Sequence, residues 1–246
     1  MLQSIKQLYG EKLGAKDGEI GRVKDFYFDD QNWTVRYVVA DTGTWLTSRQ
    51  VLLSPHAIGG FYQDGRAMVV NLTRKQIEDS PPIETHKPVS RQYEAEYHRY
   101  YGWPCYWEGE GLWGGMRGFP VLATPPKFSS DESPAAPGHK PANADAHLRS
   151  TLAVNGYHLQ ATDGIVGHVC DFLMDDKSWA INQLVIKVGH RFTGKEVQIP
   201  ASKVARISYD ESKVFVKLTT DAVEKSPEHL PVPKGAAIPS ESTLAL

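Results

Sequence analysis

A mainly all-β protein is predicted, built as two small antiparallel β-barrels with short helices and an aromatic connector. Three observations point there. The first is an internal repeat: Asp17-Gly18 recurs as Asp163-Gly164, and at the same offset of 146 the match runs without a gap for roughly seventy residues. Gly21, Val23, Asp25-Phe26, Asp29-Asp30 and Trp33 meet Gly167, Val169, Asp171-Phe172, Asp175-Asp176 and Trp179. Val70-x-Leu72-Thr73 meets Val216-x-Leu218-Thr219, and Glu78-x-Ser80-Pro81 meets Glu224-x-Ser226-Pro227. The second is a set of short runs with apolar residues at period two, separated by turn dipeptides. The third is that each copy is too small to bury a large core alone, so a closed sheet packed on a neighbour is the economical solution.

The elements of the first copy follow in order. Glu19 to Asp29 is rich in Val, Phe and Tyr and ends at Asp30-Gln31-Asn32; Trp33 to Ala40 then runs to Asp41-Thr42-Gly43, which reads as a hairpin. In Arg49 to Leu53, Val51 and Leu53 alternate with Gln50 and Leu52. Ile58 to Gln63 leads into Asp64-Gly65, a turn dipeptide. Met68, Val70 and Leu72 fall on one sheet face. Thr73-Arg74-Lys75-Gln76 fits a capping box opening a short helix, and Ser80-Pro81-Pro82 stops it.

The second copy repeats the order. Val197 and Ile199 alternate with Glu196 and Gln198, Val214, Val216 and Leu218 with Phe215 and Lys217, and a short helix near 220–225 ends at Ser226-Pro227. Between the copies, Tyr93, Tyr97 and Tyr100 or Tyr101 fall at helical spacing behind Ser90, an N-cap residue, and Gly102-Trp103-Pro104 ends that helix. Half of the six tryptophans lie between 103 and 113. The expected organisation is domain 1 at 1–84, the aromatic connector at 85–120, a flexible Pro/Ala-rich linker at 121–150, domain 2 at 151–232 and a loose tail at 233–246.

These residues resemble the PRC-barrel family. The pattern D-G-x-x-G-x-V-x-D-F-x-x-D-D occurs at Asp17–Asp30 and again at Asp163–Asp176, followed by a second strand at Trp33–Ala40 and Trp179–Val188. The later V-x-I-P element is Val197-Gln198-Ile199-Pro200, with Val51-Leu52-Leu53-Ser54-Pro55 as its counterpart. The resemblance implies a small β-barrel similar to the cytoplasmic part of the photosynthetic reaction-centre H subunit and to one domain of a bacterial ribosome-maturation factor. A shared fold does not carry a shared task.

The chain of 246 residues has a net charge of −2 and a pI near 6.5, which weighs against a dedicated nucleic-acid binder. Its two cysteines, Cys105 and Cys170, form no CxxC and indicate no disulfide framework. No apolar run reaches the roughly 18 residues of a membrane span, and the start lacks the apolar core of a signal peptide. A cytoplasmic protein without cofactor or metal is therefore expected.

Candidate chemistry is sparse. Asp25, Asp29 and Asp30, with Asp171, Asp175 and Asp176, suit either a hard cation or turn capping, and the missing EF-hand glycine and glutamate favour capping. The nine histidines show no HxxxH or HExxH spacing. Cys170 matches Lys24 of the other copy and reads as a half-buried strand thiol. No nucleophile elbow, P-loop or GxGxxG is present, so no enzyme is expected. Lys187, Arg191, Lys195, Lys203 and Arg206 form a basic cluster fit for phosphate or RNA, or a solvated barrel face. Tyr93, Tyr97, Tyr101, Trp103, Tyr106, Trp107 and Trp113 are the protein-interface candidates, since aromatic anchors dominate such surfaces; the alternative is that they lock the two copies together. The leading expectation is a scaffold or adaptor binding another protein, or a second copy of this chain if it dimerises through the connector. An RNA- or ribosome-associated factor comes second, and a companion of a membrane or photosynthetic complex third.

Overall fold

A computed structural model describes residues 1–46, 49–63, 66–80, 91–105, 148–189 and 194–230. The first repeat contains β1 (Leu2–Ser4), α1 (Ile5–Leu8), β2 (Lys12–Ala15), β3 (Gly18–Asp29), β4 (Thr34–Asp41), β5 (Gln50–Leu53), β6 (Ile58–Gln63), β7 (Arg66–Val70) and α2 (Arg74–Glu78). The connector supplies α3 (Arg91–Tyr101). The second repeat contains β8 (Leu148–Ser150), α4 (Thr151–Val154), β9 (His158–Gln160), β10 (Ile165–Asp175), β11 (Ile181–Val188), β12 (Lys195–Pro200), β13 (Val204–Ser208), β14 (Lys213–Val216) and α5 (Thr220–Glu224).

Two sheets of seven strands result. One runs β5-β4-β3-β2-β7-β6 and the other β12-β11-β10-β9-β14-β13. Both are rolled, and the connections say why. The two end strands of each path are neighbours in the chain, joined through Pro55–Ala57 or Ala201–Lys203. A flat six-strand path is about 24 Å wide, whereas five residue steps reach at most about 17 Å. The sheet must curl to bring its ends together. The pairing is antiparallel except at β2/β7 and β9/β14, which are parallel, so each roll carries one parallel seam.

The expected alternation holds where one face is covered: Met68, Val70 and Leu72 are buried together, as are Val197 with Ile199 and Val214 with Val216. In β4 every residue from Thr34 to Ala40 is buried, so both faces are covered there. The Thr73 capping box forms in full, with Gln76 N–H donating to Oγ1 at 3.2 Å and Thr73 N–H donating to Oε1 at 2.9 Å. Helix α3 ends in a Schellman turn: Gly102 sits at φ 70° and Trp103 N–H donates to the His98 carbonyl at 2.9 Å.

One boundary differs from the expectation. The linker assigned to 121–150 stops earlier, because Leu148–Ser150 is strand β8. The two repeats belong together: Met1–Lys87 and His147–Leu246 form one unit, while Pro88–Ala146 forms another. The reason is an exchange of strands. Strand β1 of the first repeat pairs with β10 of the second, and β8 of the second pairs with β3 of the first.

Candidate functional site: the strand-exchange junction

The exchange is reciprocal residue by residue. Ser4 Oγ donates to Asp171 Oδ2 at 2.5 Å, and its counterpart Ser150 Oγ donates to Asp25 Oδ2 at 2.5 Å. Lys6 N–H reaches Asp171 Oδ1 at 2.9 Å; Leu152 N–H reaches Asp25 Oδ1 at 3.0 Å. Each serine also caps the helix behind it, accepting from Gln7 N–H at 3.2 Å or Ala153 N–H at 2.9 Å. The next backbone amide of each long strand, Phe26 or Phe172, donates to its own aspartate at 2.7 Å. One carboxylate thus gathers donors from two repeats.

A pseudo-two-fold axis passes between Thr34 and Ala180, which bridge each other. Val35 N–H donates to the Trp179 carbonyl at 2.9 Å, and Ile181 N–H to the Trp33 carbonyl at 2.7 Å. Trp33 and Trp179 both adopt left-handed backbone, φ 50° and 61°, which is strained for so large a residue. The same strain at both positions belongs to the crossing itself.

Burial dominates the electrostatics of the two clamps. It pushes the Asp25 carboxyl above 3.8, outweighing hydrogen bonds from Ser150, Leu152, Phe26 and Thr151. It pushes Asp171 up in the same way against Ser4, Lys6 and Phe172. For Asp29 burial is outweighed: Asn32, the Gln31 amide and the Arg36 guanidinium hold its carboxyl below 3.8. Arg36 is 2% exposed and its Nη2 lies 3.2 Å from Asp29 Oδ2.

The acidic residues act as caps. Asp29 accepts from Gln31 and Asn32 N–H, and Asp175 from Lys177 and Ser178 N–H. Asp17 and Asp163 reach 57 residues on, to the first amides of α2 and α5, each at 2.8 Å. Among the described residues no three of His, Cys, Asp and Glu converge as metal ligands. Cys170 is buried, its thiol donates to the Val185 carbonyl at 3.3 Å, and burial, with Glu196 nearby, pushes it up to about 12.

The described basic candidates lie on β11, β12, the turn before β13 and β13 itself. Lys187 lies opposite Glu196 on the β11–β12 ladder, and Lys195 opposite Val188. Lys203 sits in the turn before β13. Arg206 lies 3.6 Å over the Phe215 ring and donates to Glu211 at 3.2 Å. Arg191 lies outside the described residues.

Of the aromatic candidates, Tyr97 is buried, and Tyr101 stacks on Trp103 with centroids 4.4 Å apart at 13°. Tyr97 meets both edge-on, at 5.0 Å and 5.9 Å. Tyr93 belongs to α3, and its side chain lies outside the described part, as do Tyr106, Trp107 and Trp113 altogether. Tyr100, not singled out beyond its spacing, is 43% exposed against Tyr101.

Sequence reasoning missed β1, β8 and the serines that anchor them. A signal was present: the 146-residue offset continues upstream, pairing Leu2 with Leu148, Ser4 with Ser150 and Gly10 with Gly156. No described helix is long and apolar enough to cross a membrane. Compared with known proteins, residues 6–77 match the family model described as PRC-barrel domain, and no curated protein matches the chain.

Proposed function

Since residues 6–77 match the PRC-barrel domain model, we propose that the chain is a non-enzymatic scaffold that binds another protein, with the aromatic end of α3 as the contact. The observation that carries this is the ring cluster Tyr97–Tyr101–Trp103, with Tyr100 exposed at its margin. Stacked rings form a stiff surface that loses little conformational entropy on docking, which is why aromatic residues recur as binding anchors.

Affinity capture from the native cell, with chemical cross-linking to place the contact, is the test. The expected result is a defined protein partner cross-linked near residues 97–103, and an affinity at least tenfold weaker after Tyr100→Ala or Trp103→Ala. A strictly monomeric species with no partner would remove the reading. Co-sedimentation with ribosomal particles that weakens as salt rises would replace it with the RNA reading. That alternative is the less favoured, because Lys187 lies opposite Glu196 and the chain has a net charge of −2 rather than a basic excess.

A further inference from the structure

The pseudo-two-fold axis creates two equivalent places where a tryptophan of one repeat meets the end strand of the other. They are not equally filled. Trp179 is 6% exposed and packs on Phe61, with ring centroids 5.2 Å apart. Its counterpart Trp33 is half-buried, and the residue that stands where Phe61 stands is Ile207. At that position lies a cavity of about 410 Å³, lined by Trp33, Ile207, Asp30, Arg149 and Arg206 among others. Two further exchanges change its chemistry: Arg149 replaces Gln3 and Arg206 replaces Gly60. One substitution leaves the space, and the other two put arginines on its lining.

The two arginines are differently held. Arg149 Nε donates to Asp30 Oδ2 at 2.6 Å, both side chains are largely buried, and the guanidinium lies 4.8 Å from the Tyr209 ring centre. This is a fixed charge pair. Arg206 lies flat on Phe215 at 3.6 Å, and its partner Glu211 is 43% exposed, so that ion pair sits in water and exchanges readily. A guanidinium stacked on a ring keeps its N–H edge available for a planar, bidentate acceptor. The volume lies in the range of small-molecule sites, and the lining is more polar than apolar, with Trp33 and Ile207 in its apolar part.

We infer that this cavity binds a small aromatic anion: a carboxylate or phosphate group held by Arg206, with the flat aromatic body against Trp33 and Ile207. The shared chemistry is an aromatic group carrying an anion, and two probes separate its sources, indole-3-carboxylate and adenosine monophosphate. The site is independent of the scaffold reading, and the two can fail separately.

The test titrates full-length protein with each probe by calorimetry. One probe binds one to one. Arg206→Gln, an exposed change that leaves the fold intact, weakens it about tenfold or more. Ile207→Phe rebuilds the Phe61–Trp179 arrangement in the empty place and abolishes binding, while the melting temperature is kept or raised. Phe61→Ile opens the opposite place, which has Gln3 and Gly60 in place of the arginines, and adds no second site. Absence of binding by both probes at millimolar concentration overturns the inference. So does binding that survives both Arg206→Gln and Ile207→Phe.

Discussion

Asp25 and Asp171 hold the exchanged strands, and their titration makes the junction pH-dependent. Their folded values lie above the ordinary 3.8 because burial outweighs the hydrogen bonds. A carboxyl raised in this way contributes more stability as pH falls through the window just above 3.8, and loses it as pH rises through the folded value. In the double variant Asp25→Asn/Asp171→Asn this contribution is gone. The wild type's advantage in urea unfolding is therefore expected to be larger near about pH 4 than near about pH 7; an advantage that grows with pH would refute the assignment. Asp29 runs the other way. Its lowered value adds stability above the ordinary range and loses it on acidification, and Arg36 is part of the cause. Arg36→Ala is expected to cost about 3 kcal/mol near neutral pH, because it strands a buried carboxylate, and the loss should shrink in acid. The Asp pairs were readable as capping residues. That one aspartate in each copy grips the other copy was not, because Ser4 and Asp171 lie 167 residues apart.

Among the elements, the β3–β4 and β10–β11 ribbons explain a glycine in each copy. A Cβ on Gly167 would lie 2.3 Å from the Lys187 carbonyl oxygen, and one on Gly21 would lie 2.0 Å from that of Asp41. These neighbours are backbone and cannot step aside. Gly167→Ala is expected to cost about 2 kcal/mol or more through overpacking. Gly21→Ala should cost more, since its φ of 135° adds strain. Equal, near-zero losses in thermal melts would count against the close approach. The caps give a second expectation: Ser4→Ala or Ser150→Ala loses both a helix cap and an inter-repeat bond, about 2 kcal/mol each. Long strands such as β10 were legible from alternation and turn chemistry. Strand β1 has three residues, too few for any period, and its state is decided by the edge of β10 that it completes. Likewise Leu52 is buried where alternation placed it opposite the core face, because local period reports one covered face and cannot register a second.

For the whole molecule, reciprocal exchange makes the two repeats one thermodynamic object. Calorimetric and van't Hoff enthalpies of unfolding should agree, with a single transition for both repeats; two resolved transitions would contradict the shared strands. A fragment of residues 1–87 keeps β1 and the Asp25 acceptor but lacks the β8 that fills it. It is expected to pair with another copy, β1 on β3, and to sediment as a dimer; a stable folded monomer would argue against the exchange. The duplication announced this architecture in the sequence, whereas the crossing of strands over the axis was visible only once Thr34 met Ala180. Covalent fusion has a further effect. When two identical subunits associate, any mutation alters both halves of their contact at once. Here a mutation is made once, so Ile207 could arise facing Trp33 while Phe61 stayed against Trp179. Tethering frees one half to specialise while its twin keeps the assembly together.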